Sequence, residues 1–153
     1  MSLYAESSAV LAWLLDEPAG TVVRQALRDT DMVLASDLTL IECERVLHRA
    51  AALGELTEAE AADRRAYLAT AAMHWHVLRI APEVVDRARQ PFPGEPIRTL
   101  DAIHLASAIV GRSAVAGLAL LSLDDRIRSV AKRLGLPLLP ANPRRVSPSL
   151  PHR

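Results

Sequence analysis

Short apolar runs recur along this chain, each too brief for a helix and each followed by a longer stretch with apolar positions at helical spacing. The short runs predict strands over Leu3–Glu6, Asp31–Ser36, His76–Ile80, Gly117–Ser122 and Leu136–Leu139. Between them the pattern predicts helices. One covers Ser8–Asp16, with Ser7 or Ser8 as N-cap, and another Gly20–Arg28. A long one follows the cap Ser36 or Asp37 and is stopped by Gly54, and the next opens on a capping box of Thr57 and Glu60. Pro82 starts a short helix. Thr99–Val110, "TLDAIHLASAIV", is apolar on almost every side and predicts a buried helix, and "DDRIRSVAKRLG" predicts the last one. The segment "QPFPGEPIR" holds three prolines and a glycine and is no regular element.

Strands alternating with helices predict an α/β domain: a three-layer sandwich with a central parallel sheet of four to five strands and helices on both faces. The 153 residues suit a single domain over 1–140, with a Pro-rich, basic tail over 141–153. Formal net charge is zero, which argues against a surface built to grip nucleic acid throughout but leaves room for a local site. Lys132 is the one lysine, so the basic chemistry is arginine chemistry, although codon usage alone produces the same bias. The single cysteine, Cys43, rules out an internal disulfide and a cysteine zinc site; it reads as a small buried hydrophobe. With no signal-peptide pattern and no apolar run of membrane-spanning length, the expected compartment is the cytoplasm.

In a parallel α/β sheet the functional crevice lies beyond the carboxyl ends of the strands. Four acids are expected there: Glu6 ends the first strand, Asp124 follows the fourth, Asp101 lies in the first turn of the apolar helix, and Glu42 lies early in the helix after the second strand. Carboxylates gathered in one place repel unless cations neutralise them, and a set of oxygen donors suits Mg²⁺ or Mn²⁺. Each acid also has a simpler use. Asp101 and Asp124 complement a helix dipole, Glu42 pairs with Arg45 or Arg49, and Glu6 accepts N–H groups at the next helix start. Asp125 reads as an exposed charge at the helix start. His104 shares the helix face of Asp101, as a structural histidine or as a partner of the acids. His74 and His76 are assigned no chemistry.

Four blocks in order, "YAESSAVL", "SDLTLIECERVL", "RTLDAIHLASA" and "LLSLDDRIRSVAKRLGL", resemble the PIN-domain ribonucleases, and among them the VapC-type toxins of bacterial toxin–antitoxin pairs. The resemblance runs over nearly the whole chain. It implies a PIN-like fold and a Mg²⁺- or Mn²⁺-dependent endoribonuclease. The metal-binding and catalytic acids fall on Glu6, Glu42, Asp101 and Asp124, and the small hydroxyl residues beside the first and last acids fall on Ser7, Ser8 and Ser122. Of these, Ser7 and Ser122 are expected to orient metal-bound water or a substrate phosphate, and rim arginines with "QPFPGEPIR" to guide RNA. It also implies a cognate antitoxin protein and a homodimer. One position departs: the family's first acid is usually aspartate, and here it is Glu6, whose extra methylene moves the carboxylate by roughly an ångström at a metal that demands near-ideal geometry. A catalytically inactive PIN-like module that binds RNA or protein is the alternative. A phosphoacceptor signalling domain needs an acidic pair at the first strand and a lysine after the last; Glu6 stands alone and "LPLLPANP" has no lysine.

Overall fold

Period-two alternation decides which layer each strand residue joins. In β1 (Ser2–Ala5), Leu3 and Ala5 pack to one face with Val33 of β2 (Met32–Ser36), while Tyr4 packs to the other with Leu34. The computed structural model describes residues 1–143. Its five strands form one sheet in the order β3-β2-β1-β4-β5, with β3 spanning His76–Leu78, β4 Ala119–Leu121 and β5 Leu138–Leu139. Every pairing is parallel, and the central strand sets Tyr4 between Leu34 and Leu120.

The helices divide between the two faces as the handedness of parallel crossovers requires. The chain steps from β1 outward to β3 through α1 (Ser7–Leu14), α2 (Gly20–Asp29), α3 (Asp37–Ala52) and α4 (Glu58–Ala72). These cover the face where Val10, Leu14, Val23, Cys43, Leu47 and Leu68 are buried. It then crosses back past β1 to β4 and β5 through α5 (Pro82–Ala88), α6 (Thr99–Ala114) and α7 (Asp125–Arg133), which bury Val84, Leu105, Ile127 and Val130 on the opposite face. The direction of the chain across the sheet therefore reverses between β1 and β4, and the connections leaving their carboxyl ends go to opposite faces, the place where such sheets form a crevice.

Local chemistry accounts for the element ends. Ser36 caps α3, and Thr57 with Glu60 forms the capping box of α4, as the sequence predicts. Gly54, at a φ of 71°, turns the chain out of α3. Gly20 is needed for a different reason: a Cβ there would stand 2.4 Å from the Ala12 carbonyl oxygen, so it alone lets α2 start against α1. The first cap differs from expectation. Neither Ser7 nor Ser8 is the N-cap of α1; Glu6 is, with its carboxylate accepting from the Ser8 N–H. That helix also ends before Asp16, whose φ of 53° is left-handed. β3 stops at Leu78 rather than Ile80, and α6 runs on to Ala114, past the expected Val110. Residues 89–98, which carry "QPFPGEPIR", form no helix or strand. Most of the basic tail expected over 141–153 lies outside the described residues.

Candidate active site

The crevice between the ends of β1 and β4 is closed by serine hydroxyls around a single buried carboxylate. Glu6 is 3% exposed and takes hydrogen bonds on both oxygens. Oε1 accepts from Ser7 Oγ (2.9 Å) and the Ser8 N–H (3.1 Å), while Oε2 accepts from Ser122 Oγ (2.7 Å) and from Ser8 Oγ. The same hydroxyls stitch the far side: the Leu123 N–H donates to Ser8 Oγ (2.9 Å) and the Asp124 N–H to Ser122 Oγ (3.2 Å). The hydroxyls of Ser7 and Ser122, expected to orient metal-bound water or a phosphate, are turned inward onto Glu6.

Glu42 stands on the other side of Ser7, whose Oγ is 3.3 Å from Glu42 Oε1. Its pairing is not with Arg45 or Arg49 on its own helix. His104 Nε2 donates to Glu42 Oε1 at 2.6 Å, reaching across from α6, and lies 3.8 Å from Glu6 Oε1. His104 Nδ1 in turn is 3.0 Å from the Tyr4 hydroxyl, which bonds Ser36 Oγ at 2.9 Å. A line of polar groups, buried at Ser36, Tyr4 and His104, therefore runs from the start of α3 to the half-buried Glu42. Such a line fixes its last member because each partner has one satisfied geometry.

Burial pushes the Tyr4 hydroxyl up to about 12 from an ordinary 10.0. Because the folded value is the higher one, its stabilisation is complete below about pH 10 and is lost as pH rises toward 12. Tyr4 alone should account for a loss of about 3 kcal/mol across that window. Burial also raises the Cys43 thiol, which adds to the loss, so the Tyr4→Phe variant isolates the tyrosine. Urea denaturation of both proteins at pH 9 and pH 12 checks this. Equal losses in the two would remove Tyr4 as the cause.

The other two acids are joined by an arginine. Asp101, buried in the first turn of α6, is held by Arg98 in a fork, with Nε to Oδ2 at 2.9 Å and Nη2 to Oδ1 at 3.3 Å. The same Nη2 is 3.8 Å from Asp124 Oδ2. Those contacts raise the already high pKa of Arg98, chiefly through its hydrogen bond to Asp101, with Asp124 and Glu42 adding to it. Asp124 is the N-cap of α7, its Oδ1 accepting from the Arg126 N–H (2.8 Å) and the Ile127 N–H (3.1 Å). Asp125, beside it, is exposed. The turn before α7 is pinned from behind by Arg128, buried, which donates to the carbonyls of Ser122 (2.8 Å), Leu139 (3.1 Å) and Pro140 (2.9 Å).

The structure thus sets all four acids along one sheet edge, in two pairs. Glu6 and Glu42 flank Ser7; Asp101 and Asp124 share Arg98. Among the described residues, no three His, Cys, Asp or Glu side chains stand close enough to enclose a metal ion as they lie. Their chemistry still suits one. All four are hard oxygen donors, and a cation in the form of the Arg98 guanidinium already answers two of them. Beside that pair opens a cavity of about 650 Å³ whose walls include Ile97, Arg98, Asp101, Leu105 and Arg126. Sequence reasoning missed Tyr4, Arg98 and Arg128. Only Arg98 left a signal, its spacing of three residues from Asp101.

Residues 3–133 match the family model of the PIN domain. Ribonuclease VapC46 of Mycobacterium tuberculosis is 36% identical over 138 residues, which span 90% of this chain and 96% of that protein. Among solved structures, VapBC2 from Rickettsia felis, bound to a DNA fragment from its promoter, superposes with a TM-score of 0.62 at 11% identity, covering 90% of this chain and 97% of that one. Mycobacterium tuberculosis VapC20, a toxin that cleaves the Sarcin-Ricin loop, gives a TM-score of 0.57 at 13% identity, covering 83% and 93%. At such identities the two structures speak for the fold alone.

Proposed function

This chain belongs to the PIN-domain family, and from that premise we propose that it is a metal-dependent endoribonuclease, the toxin of a bacterial toxin–antitoxin pair. The observation that supports the reading is the sheet edge itself, where carboxylates from four separate elements lie in two pairs and one pair already shares a cation. Asp101 and Asp124 would be the principal ligands of Mg²⁺ or Mn²⁺, with Glu6 and Glu42 completing the set directly or through water. The chemistry supplied by an ion held there would be a more acidic water near neutral pH and a positive charge opposite the phosphate. The protein's share is placement. The serines hold Glu6, His104 holds Glu42, and the cap bonds from Arg126 and Ile127 hold Asp124. Arg126 and Arg98, on the cavity wall, offer guanidinium groups suited to the RNA backbone.

Glu6 is the position that favours the inactive alternative. It spends both oxygens on serine and backbone donors, so ligating a metal requires it to surrender one of them. A cognate antitoxin and a second copy of the chain complete the proposal, supported by large apolar side chains left at the surface, among them Ile41, Leu53, Tyr67 and Met73. A cytoplasmic location belongs to the same proposal; among the described residues no helix is long and apolar enough to cross a membrane. The test is cleavage of a structured RNA with Mg²⁺ or Mn²⁺ added, then with a chelator, then with metal restored. Cleavage should appear, stop and return. Absence of cleavage with either metal selects the inactive module.

A further inference from the structure

Arg98 is odd for a residue that makes the closest ionic contacts of the acid pair: its side chain is 60% exposed, while that of Asp101 is 10% exposed. It precedes α6 as the N-cap residue without making a side-chain cap bond, so the helix does not need its guanidinium. Only side-chain torsions separate its present position from open solvent, with the cavity alongside. Both oxygens of Asp101 and one of Asp124 face this single planar cation. A divalent ion drawn to the same oxygens competes with it for them, because two cations at contact distance repel.

We propose that Arg98 is an exchangeable internal cation: it neutralises Asp101 and Asp124 in the metal-free protein, is displaced when a divalent ion binds them, and then grips the RNA phosphate beside the ion. The proposal rests on the metal-dependent reading above. It assigns Arg98 two opposed effects, since the guanidinium competes with metal and cooperates with substrate. An arginine that merely oriented Asp101 would instead help both. Exchange keeps the carboxylates apart and satisfied when no metal is present. It also frees a bidentate phosphate donor only at a site that is loaded.

The experiment is calorimetric titration of RNA-free protein with Mn²⁺, for wild type, Arg98→Gln and Arg98→Lys. Arg98→Gln should bind Mn²⁺ roughly threefold to fivefold more tightly, the scale of one exposed ion pair. Arg98→Lys, which keeps the charge without the fork, should fall between. The same Arg98→Gln protein should cleave RNA more slowly at saturating Mn²⁺, so affinity for metal and activity move in opposite directions. Equal or weaker Mn²⁺ binding by Arg98→Gln overturns the proposal, as does tighter binding with faster cleavage. Failure of all three proteins to bind Mn²⁺ overturns the metal-dependent reading itself, so the two failures are distinct. Because the side chain is exposed, both variants should stay folded and melt within about 4 °C of wild type, which thermal denaturation verifies.

Discussion

Asp101→Asn should lower RNA cleavage on the order of 10³-fold while leaving the protein folded. Asparagine has the shape of aspartate and keeps an oxygen that accepts from Arg98, so the packing at the start of α6 survives. What disappears is a negative charge in a buried position where two acids and one guanidinium balance each other. Stability should change little. The mutation forfeits an exposed-arginine ion pair and a helix-dipole contact, each worth about 0.3–1 kcal/mol, and relieves the desolvation of a buried carboxylate. Initial cleavage rates and a thermal melt on the same preparation read the two effects separately. Cleavage within about tenfold of wild type would remove Asp101 from the machinery.

Glu6→Ala should show the converse, a loss of stability as large as its loss of activity. The variant gives up the cap bond to the Ser8 N–H and leaves the hydroxyls of Ser7, Ser8 and Ser122 without their shared acceptor inside the protein. Cap loss costs about 1 kcal/mol and each stranded buried donor about 1–3 kcal/mol before water or rearrangement recovers part of it, so about 3–5 kcal/mol is expected. Urea denaturation measures it, and a cost below about 1 kcal/mol would mean that the serine ring re-forms without the carboxylate. Glu6→Asp is the informative companion. Its shorter side chain cannot keep all four donors, so it should lose part of that stability while offering an acid of the family's usual length.

Much of the fold was legible because its signals are local. The apolar runs named five strands, Gly54 ended a helix, and the Thr57–Glu60 box opened one. The acids were legible as a set because strand ends and helix starts share one edge in this class of sheet. The way they are held was legible only in part. That Glu6 accepts an N–H at the next helix start holds at Ser8, but cap preference favours serine, so Ser7 and Ser8 read as caps rather than as donors to Glu6. Arg128 lies in an amphipathic helix whose charges ordinarily face outward, and its burial follows from β5 and Pro140 arriving behind it. Tyr4 read as a strand residue, and the histidine and serine it contacts lie 100 and 32 residues further along the chain.

The three carbonyls held by Arg128 also tie the acid edge to the end of the sheet. Ser122 donates to Glu6, and the turn carrying Ser122 and Asp124 is fastened through Arg128 to carbonyls at positions 139 and 140. One buried guanidinium thus couples β5, the outermost strand on that side, to the surroundings of Glu6 and Asp124. A change that loosens Leu138–Leu139 therefore reaches the acid edge without touching any acid.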